Sequence, residues 1–138
     1  MPDILKKLIH DLVEAWNSHD ADQLPSFYTN DYEGVDVAYA APHAGQQGIR
    51  QLFVRWWQAF PDLHFTSNNV IIQGNCAVLD WTACGTHQGT MMNIPATKRR
   101  IEVRGITILT ITGGKVQKAV HVWDVAGLLR MIGLLPEL

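Results

Sequence analysis

Near the C-terminal end, in "ITGGKVQKAVHVWD" (residues 111–124), a histidine stands three residues before an aspartate, with Trp123 between them. An imidazole with a reference pKa of ~6.5 takes and gives a proton near neutrality, as carbon-acid chemistry requires. A carboxylate beside it would fix its tautomer and raise its basicity. His121 is therefore the leading candidate for acid–base work; the alternative is a histidine at a sheet rim, bonded to a backbone carbonyl. Strict alternation puts it on the face of Gln117, Ala119 and Trp123, and small Ala119 leaves room for a ligand. Asp124 is the candidate partner. In an extended strand it lies ~10 Å away on the opposite face, so the two meet only across a bulge or turn. Its other use, and the favoured one, is as N-cap of the last helix.

Four further groups extend the candidate site. His87, in "CGTHQGT", shares a strand face with Trp81, Ala83 and Gly85. It is either a cavity wall or a structural hydrogen bond at a strand end. The two-residue turn at Gly113-Gly114 pairs residue 104 with 123 and 106 with 121. Arg104 would then flank His121 diagonally and hold an enolate or carboxylate, unless an ion pair with Glu102 or another acid occupies it. Ile106 would lie opposite His121. Tyr39, Trp57 and Trp123 are candidates to line the pocket. Trp56 and Trp57 point ~100° apart on one helix, so one faces the core and the other a pocket or an interface. Tyr28, Tyr32 and Asp36 are weaker candidates near the opening.

These residues need elements to position them. "DILKKLIHDLVEAWNSHD" has apolar residues at helical spacing, with Asp3 as N-cap. A short second helix is expected around Leu24–Tyr28. "EGVDVAYAAP" reads as a strand with Val35, Val37 and Tyr39 on one face. "GQQGIRQLFVRWWQAFPD" is a helix ended by Pro61. Strands follow on either side of Gly74-Asn75 and of Gly113-Gly114, where glycine supplies the positive φ of tight hairpins. "VAGLLRMIGLLPEL" closes the chain as a short helix or coil. Helices first and hairpins later give an α+β fold, with helices on one face of a bent sheet. The strand over 101–112 is apolar on both parities, so both its faces are expected to be covered, the second by another subunit.

The bulk composition narrows the function classes. With 138 residues, 47% of them apolar, the chain makes one domain with one core. A net charge of −2 provides no field for nucleic acid or anionic membrane, and "TKRR" at 97–100 reads as a solvated turn. No apolar run is long enough to span a bilayer, and the N-terminal stretch lacks a signal-peptide pattern, so a cytoplasmic location is expected. Cys76 and Cys84 are expected as free thiols in the core. Five tryptophans point to a large core or a pocket for a flat apolar ligand. The sequence contains no phosphate loop, nucleophile elbow or metal-ligand cluster.

Four stretches carry a resemblance: "LIHDLVEAWNSHDADQLPSFYTNDY", "HAGQQGIRQLF", "GTHQGTMMNIPATKRRIEVRGITILTITGGKV" and "DVAGLLRMIGLLP". Together they cover most of the chain. The sequence resembles the SnoaL-like polyketide cyclases of the nuclear-transport-factor-2-like superfamily. The resemblance implies a cone-shaped α+β barrel: a curved antiparallel sheet around a long helix, with a deep apolar pocket at its mouth. It implies a homodimer or higher homo-oligomer built on the sheet's outer face. It also implies polyketide or ester cyclisation, or a related isomerisation or dehydration, of a small hydrophobic or aromatic carbonyl compound without metal or cofactor. The superfamily includes pure binding modules as well. By position, the cyclases' catalytic aspartate falls on His121 and their pocket histidine on Thr107, so the chain departs from that pattern at both. Asp124 stands where those cyclases are also acidic, and His87 matches a histidine.

Overall fold

A computed structural model describes residues 2–136. Helix α1 (Pro2–Ser18) buries Ile9, Leu12, Val13 and Trp16, one helical stripe. It starts at Pro2, so Asp3, expected as its N-cap, is already helical. A 3₁₀ turn (Leu24–Phe27) replaces the expected second helix and leads into β1 (Tyr28–Asp36) and the two-residue β2 (His43–Ala44). Helix α2 (Gly45–Ala59) buries Ile49, Leu52, Phe53, Trp56 and Trp57 and stops before Pro61. Strands β3 (His64–Gln73), β4 (Cys76–Thr86), β5 (Arg100–Thr112) and β6 (Lys115–Trp123) precede α3 (Val125–Met131).

The six strands form one curved sheet in the order β2-β1-β6-β5-β4-β3, with β2 and β3 left as edges. All neighbours are antiparallel except β1 and β6, which run parallel, so the sheet is mixed. Helix α1 packs on β3, α2 on β1 and β2, and α3 on β5, all on the concave face. The outer face is bare: Ile106, Ile108 and Val122 are each more than two-fifths exposed. Only one face of β5 is therefore covered within the chain. Cys76 is exposed and Cys84 half-buried, so neither belongs to the core.

Two local details decide which residues face inward. In β1 the buried positions are Tyr28, Tyr32, Gly34 and Asp36, while Val35, and Val37 just past the strand, are exposed. That is the reverse of the parity expected from the valines, and Tyr39 lies beyond the strand. In the last hairpin the pairs Thr112↔Lys115 and Ile111↔Val116 follow the two-residue turn, but Thr110 pairs with Lys118. Gln117 is an extra residue, a β-bulge. Beyond it every partner shifts by one, so Thr107 rather than Ile106 lies opposite His121.

Gly105 lies between Trp81 on β4 and Trp123 on β6. The Trp81 indole lies over it, and a Cβ there would fall among the ring atoms. From that position the Trp81 Nε1 donates to the Thr107 hydroxyl at 2.9 Å. Gly105→Ala is expected to push the ring away and destabilise the protein by about 1–3 kcal/mol, an overpacking cost. Urea unfolding followed by tryptophan fluorescence measures it; an unchanged midpoint would show that Trp81 has room to move.

Candidate functional site

The concave face carries a row of buried polar groups with almost no access to water. Asp36, Thr107 and His121 are each no more than 1% exposed. Asp36 and His121 sit in register on the parallel pair β1–β6, and the Val37 amide donates to the His121 carbonyl at 3.0 Å. The Thr107 hydroxyl lies 2.8 Å from His121 Nδ1. It also accepts from Trp81 Nε1, and when it gives its own proton to Nδ1 the histidine proton sits on Nε2. That Nε2 is buried without a hydrogen-bond partner among the described residues.

Around this ring the packing is aromatic. Trp16, His43 and Trp56 have ring centroids 6.1, 6.1 and 6.2 Å from that of His121. His43 stacks nearly parallel to it, and its Nε2 shares a hydrogen bond with the Tyr32 hydroxyl at 2.8 Å. Burial, with a smaller push from His43, lowers the His121 pKa to about 3. Burial also lowers that of His43, helped by the Arg55 charge. Two neutral imidazoles thus stack without repulsion.

Asp36 is displaced in the other direction. Burial raises its pKa, against the opposing pull of the hydrogen bonds it accepts. These come from the Ala38 amide at 2.9 Å and from Trp123 Nε1, at 2.9 and 3.1 Å to its two oxygens. No lysine or arginine among the described residues pairs with it.

Beside this row lies an apolar cavity of about 40 Å³, lined by Trp56, Phe60, Phe65, Trp81, Met91 and Trp123 together with smaller apolar side chains. It holds a few water-sized atoms. Trp56 and Trp123 belong to its wall, and their other contacts are polar: Trp56 Nε1 donates to the Tyr39 hydroxyl at 3.1 Å, and Trp123 to Asp36. Both indoles therefore stand between the cavity and the polar row.

The sequence model of the SnoaL-like polyketide cyclases matches residues 6–132. The chain belongs to this family. No curated protein sequence matches it significantly. Among solved structures, it is similar to TsrD of Streptomyces laurentii, with 28% identity, 96% of this chain and 97% of TsrD covered, and a TM-score of 0.86. It is also similar to AclR of Streptomyces galilaeus, a proposed hydroxylase, at 25% identity over 96% of this chain and 87% of AclR, TM-score 0.84. A protein of ketosteroid isomerase-like fold from Catenulispora acidiphila, solved with trimethylamine, shares the fold at 18% identity, with 93% of each chain covered and a TM-score of 0.80. Among the described residues no helix is long and apolar enough to cross a membrane.

Not all the residues expected in the family's pocket gather there. His121 is on the inner face, and Trp123 and Tyr39 flank the cavity as described. Trp57 is on the core side of α2, donating to the Trp16 carbonyl at 3.1 Å and stacking on His19. His87 is buried away from the cavity lining; its Nδ1 accepts from the Thr97 hydroxyl and amide at 2.9 and 3.2 Å and so pins the loop before β5. Burial lowers its pKa, and the Gly89 carbonyl offsets part of that.

Arg104 and Ile106 point outward. The bulge at Gln117 removes the pairing that set them beside His121, and Arg104 binds Asp80 at 3.0 Å on the outer face. The same bulge separates Gln117 from the His121 face; it reaches Asp31 instead. Asp124 is exposed and caps α3, accepting from the Gly127 amide at 2.8 Å. His43 and the Thr107 hydroxyl were not foreseen as neighbours of His121, and Asp36, expected near the opening, lies buried in register with it. The one sequence signal was Asp36 itself, an acid at an alternating position between Gly34 and Ala38.

His121 shapes the pH dependence of stability. Its folded pKa of about 3 is below the unfolded ~6.5, so the unfolded state binds more protons between those values. Stability is full above ~6.5 and falls as pH drops toward 3. His43 and His87 act in the same direction, and Asp36, with its raised pKa, opposes them. His121→Gln should flatten the fall in urea stability between pH 6.5 and 4 by up to about 1.4 kcal/mol per pH unit. An unchanged slope would remove His121 as the titrating group.

Proposed function

We propose that the protein is a cofactor-independent acid–base enzyme acting on a small hydrophobic carbonyl compound, with Asp36 as the proton carrier and His121 as a neutral hydrogen-bond donor. One observation carries the reading. Asp36 is the only fully buried carboxylate among the described residues, has no cationic partner, and bonds to an indole that walls the apolar cavity. A carboxylate whose pKa is raised by burial is a stronger base than an exposed one and works nearer neutrality. An imidazole with a pKa of about 3 is a poor base, but in the tautomer whose Nδ1 accepts from Thr107 its Nε2–H offers a hydrogen bond to an enolate oxygen without carrying charge.

In this scheme the Asp36 carboxylate removes a proton next to the substrate carbonyl. The enolate oxygen takes the His121 hydrogen bond, and the enolate carbon adds to a second carbonyl or is reprotonated elsewhere. The Asp36 carboxylic acid returns the proton, so the reaction is redox-neutral. Access to the pair requires Trp123, the indole bonded to Asp36, to turn aside. Family membership supports the cyclase class, and the bare Ile106, Ile108 and Val122 support a homodimer on the outer face. A cytoplasmic setting follows from the same reading.

A second reading is a non-catalytic binding module, favoured by the cavity lining, in which no side chain titrates. Deuterium exchange next to the carbonyl of hydrophobic 1,3-diketones, followed by NMR in D2O, separates the two. The enzyme should exchange them above the buffer rate, and Asp36→Asn should lose about 10²–10⁴-fold of that rate. His121→Gln should lose less. Ligand-induced thermal stabilisation with no exchange would leave the binding module.

A further inference from the structure

A second, separate pocket adjoins the apolar cavity at Trp56 and Met91. It is a groove of about 350 Å³. Its chemistry is different. Tyr39, Gln58, Thr90 and Asn93 line it with hydroxyls and amides, Arg55 supplies its one cation, and none of its lining residues is acidic.

Arg55 is exposed on α2, and among the described residues no carboxylate lies within ion-pair distance of it. Its guanidinium carbon sits 5.6 Å from the centre of the Tyr39 ring. That ring is itself held, because its hydroxyl accepts from Trp56 Nε1 at 3.1 Å. Stacking occupies one face of the guanidinium and leaves its N–H edges free, the arrangement that takes a carboxylate through two parallel bonds. The opposite wall is a tight turn: Met91 and Ile94 exchange backbone hydrogen bonds at 3.1 and 2.7 Å, with Met92 and Asn93 both at positive φ (51° and 63°). Glycine or asparagine would be the usual choice there, so Met92 is strained, as residues at ligand clamps often are.

We propose that the ligand is an amphipathic carboxylate, its apolar part in the cavity and its anionic head on Arg55 above Tyr39. Gln58, Thr90 and Asn93 offer further hydrogen bonds to the head. Combined with the carbonyl chemistry above, the substrate class becomes a hydrophobic keto acid. The inference rests on the reading that the cavity takes a small hydrophobic molecule and adds the head group to it.

The test uses two matched probe series, hexanoate, 4-phenylbutanoate and 2-naphthoate against their primary amides, titrated calorimetrically into the full-length protein at neutral pH and low salt. The acids should bind at least about tenfold tighter than the amides, a difference in line with a charge-assisted bidentate contact. Arg55→Gln should bring that ratio close to one, and Arg55→Lys, a point charge without the planar fork, should fall between. Arg50→Gln, which removes a cation facing Asp22 elsewhere, should leave the ratio intact. Equal binding of acids and amides by the unaltered protein overturns the head-group assignment and leaves the cavity reading standing. A preference for acids that survives Arg55→Gln also overturns it. Binding by neither series overturns both.

Discussion

One unpaired residue, Gln117, determines what the end of the last hairpin presents to the interior. Without the bulge, β6 would continue the register set by the Gly113-Gly114 turn, and His121 would face Ile106 across the ladder. With it, His121 faces Thr107. A hydroxyl can satisfy an imidazole nitrogen where an isoleucine cannot, and a buried nitrogen without a partner costs on the order of 1–3 kcal/mol. The arrangement then spreads outward. Thr107 is reached by Trp81 because Gly105 leaves a flat seat for the indole, and Trp81 in turn forms part of the cavity wall. Register, hydrogen bonding and cavity shape are therefore one constraint.

The same interior separates two titratable groups. Burial disfavours the charged form of both, which drives a histidine down and an aspartate up. His121 is left neutral and Asp36 is left with a raised pKa, side by side on parallel strands. In water the histidine would be the natural base and the aspartate a spectator. On the proposed reading, burial exchanges the roles. Family membership with an altered acidic position is compatible with this, because a carboxylate on the adjacent strand faces the same interior.

Much of the fold was legible in the sequence. The helical stripes of α1 and α2, both two-residue hairpins and the Asp124 cap follow from local rules of spacing and backbone geometry, and so does the short last helix. What was not legible depends on tertiary pairing. The parity of β1 is set by Tyr32 and Asp36 rather than by the valines, because the interior there is an aromatic and polar row, so hydrophobic alternation points to the wrong face. The bulge has no composition signal: Gln117 is an ordinary strand residue, and an extra position is visible only in the ladder. Without that shift His121 would stand beside Ile106 and Arg104; with it His121 turns inward and those two remain on the outer face. Trp57 was ambiguous from the start, since two adjacent tryptophans on a helix cannot share a direction, and the core side belongs to it.

The walls of the cavity also bear on the reactivity of Asp36. Trp123 donates to both its oxygens, and a donated hydrogen bond favours the ionised form. While the indole is in place, it opposes the desolvation that raises the pKa. A ligand large enough to fill more than about 40 Å³ has to displace Trp56 or Trp123, since these two stand between the cavity and the polar row. If Trp123 moves, Asp36 loses that bond, its carboxylate becomes less stabilised, and its affinity for a proton rises. The group becomes a stronger base when a ligand opens the way to it, and it is restrained when the site is closed. On the proposed reading, the closed wall thus both keeps water from the Asp36 carboxylate and holds it in its more stabilised, less basic state.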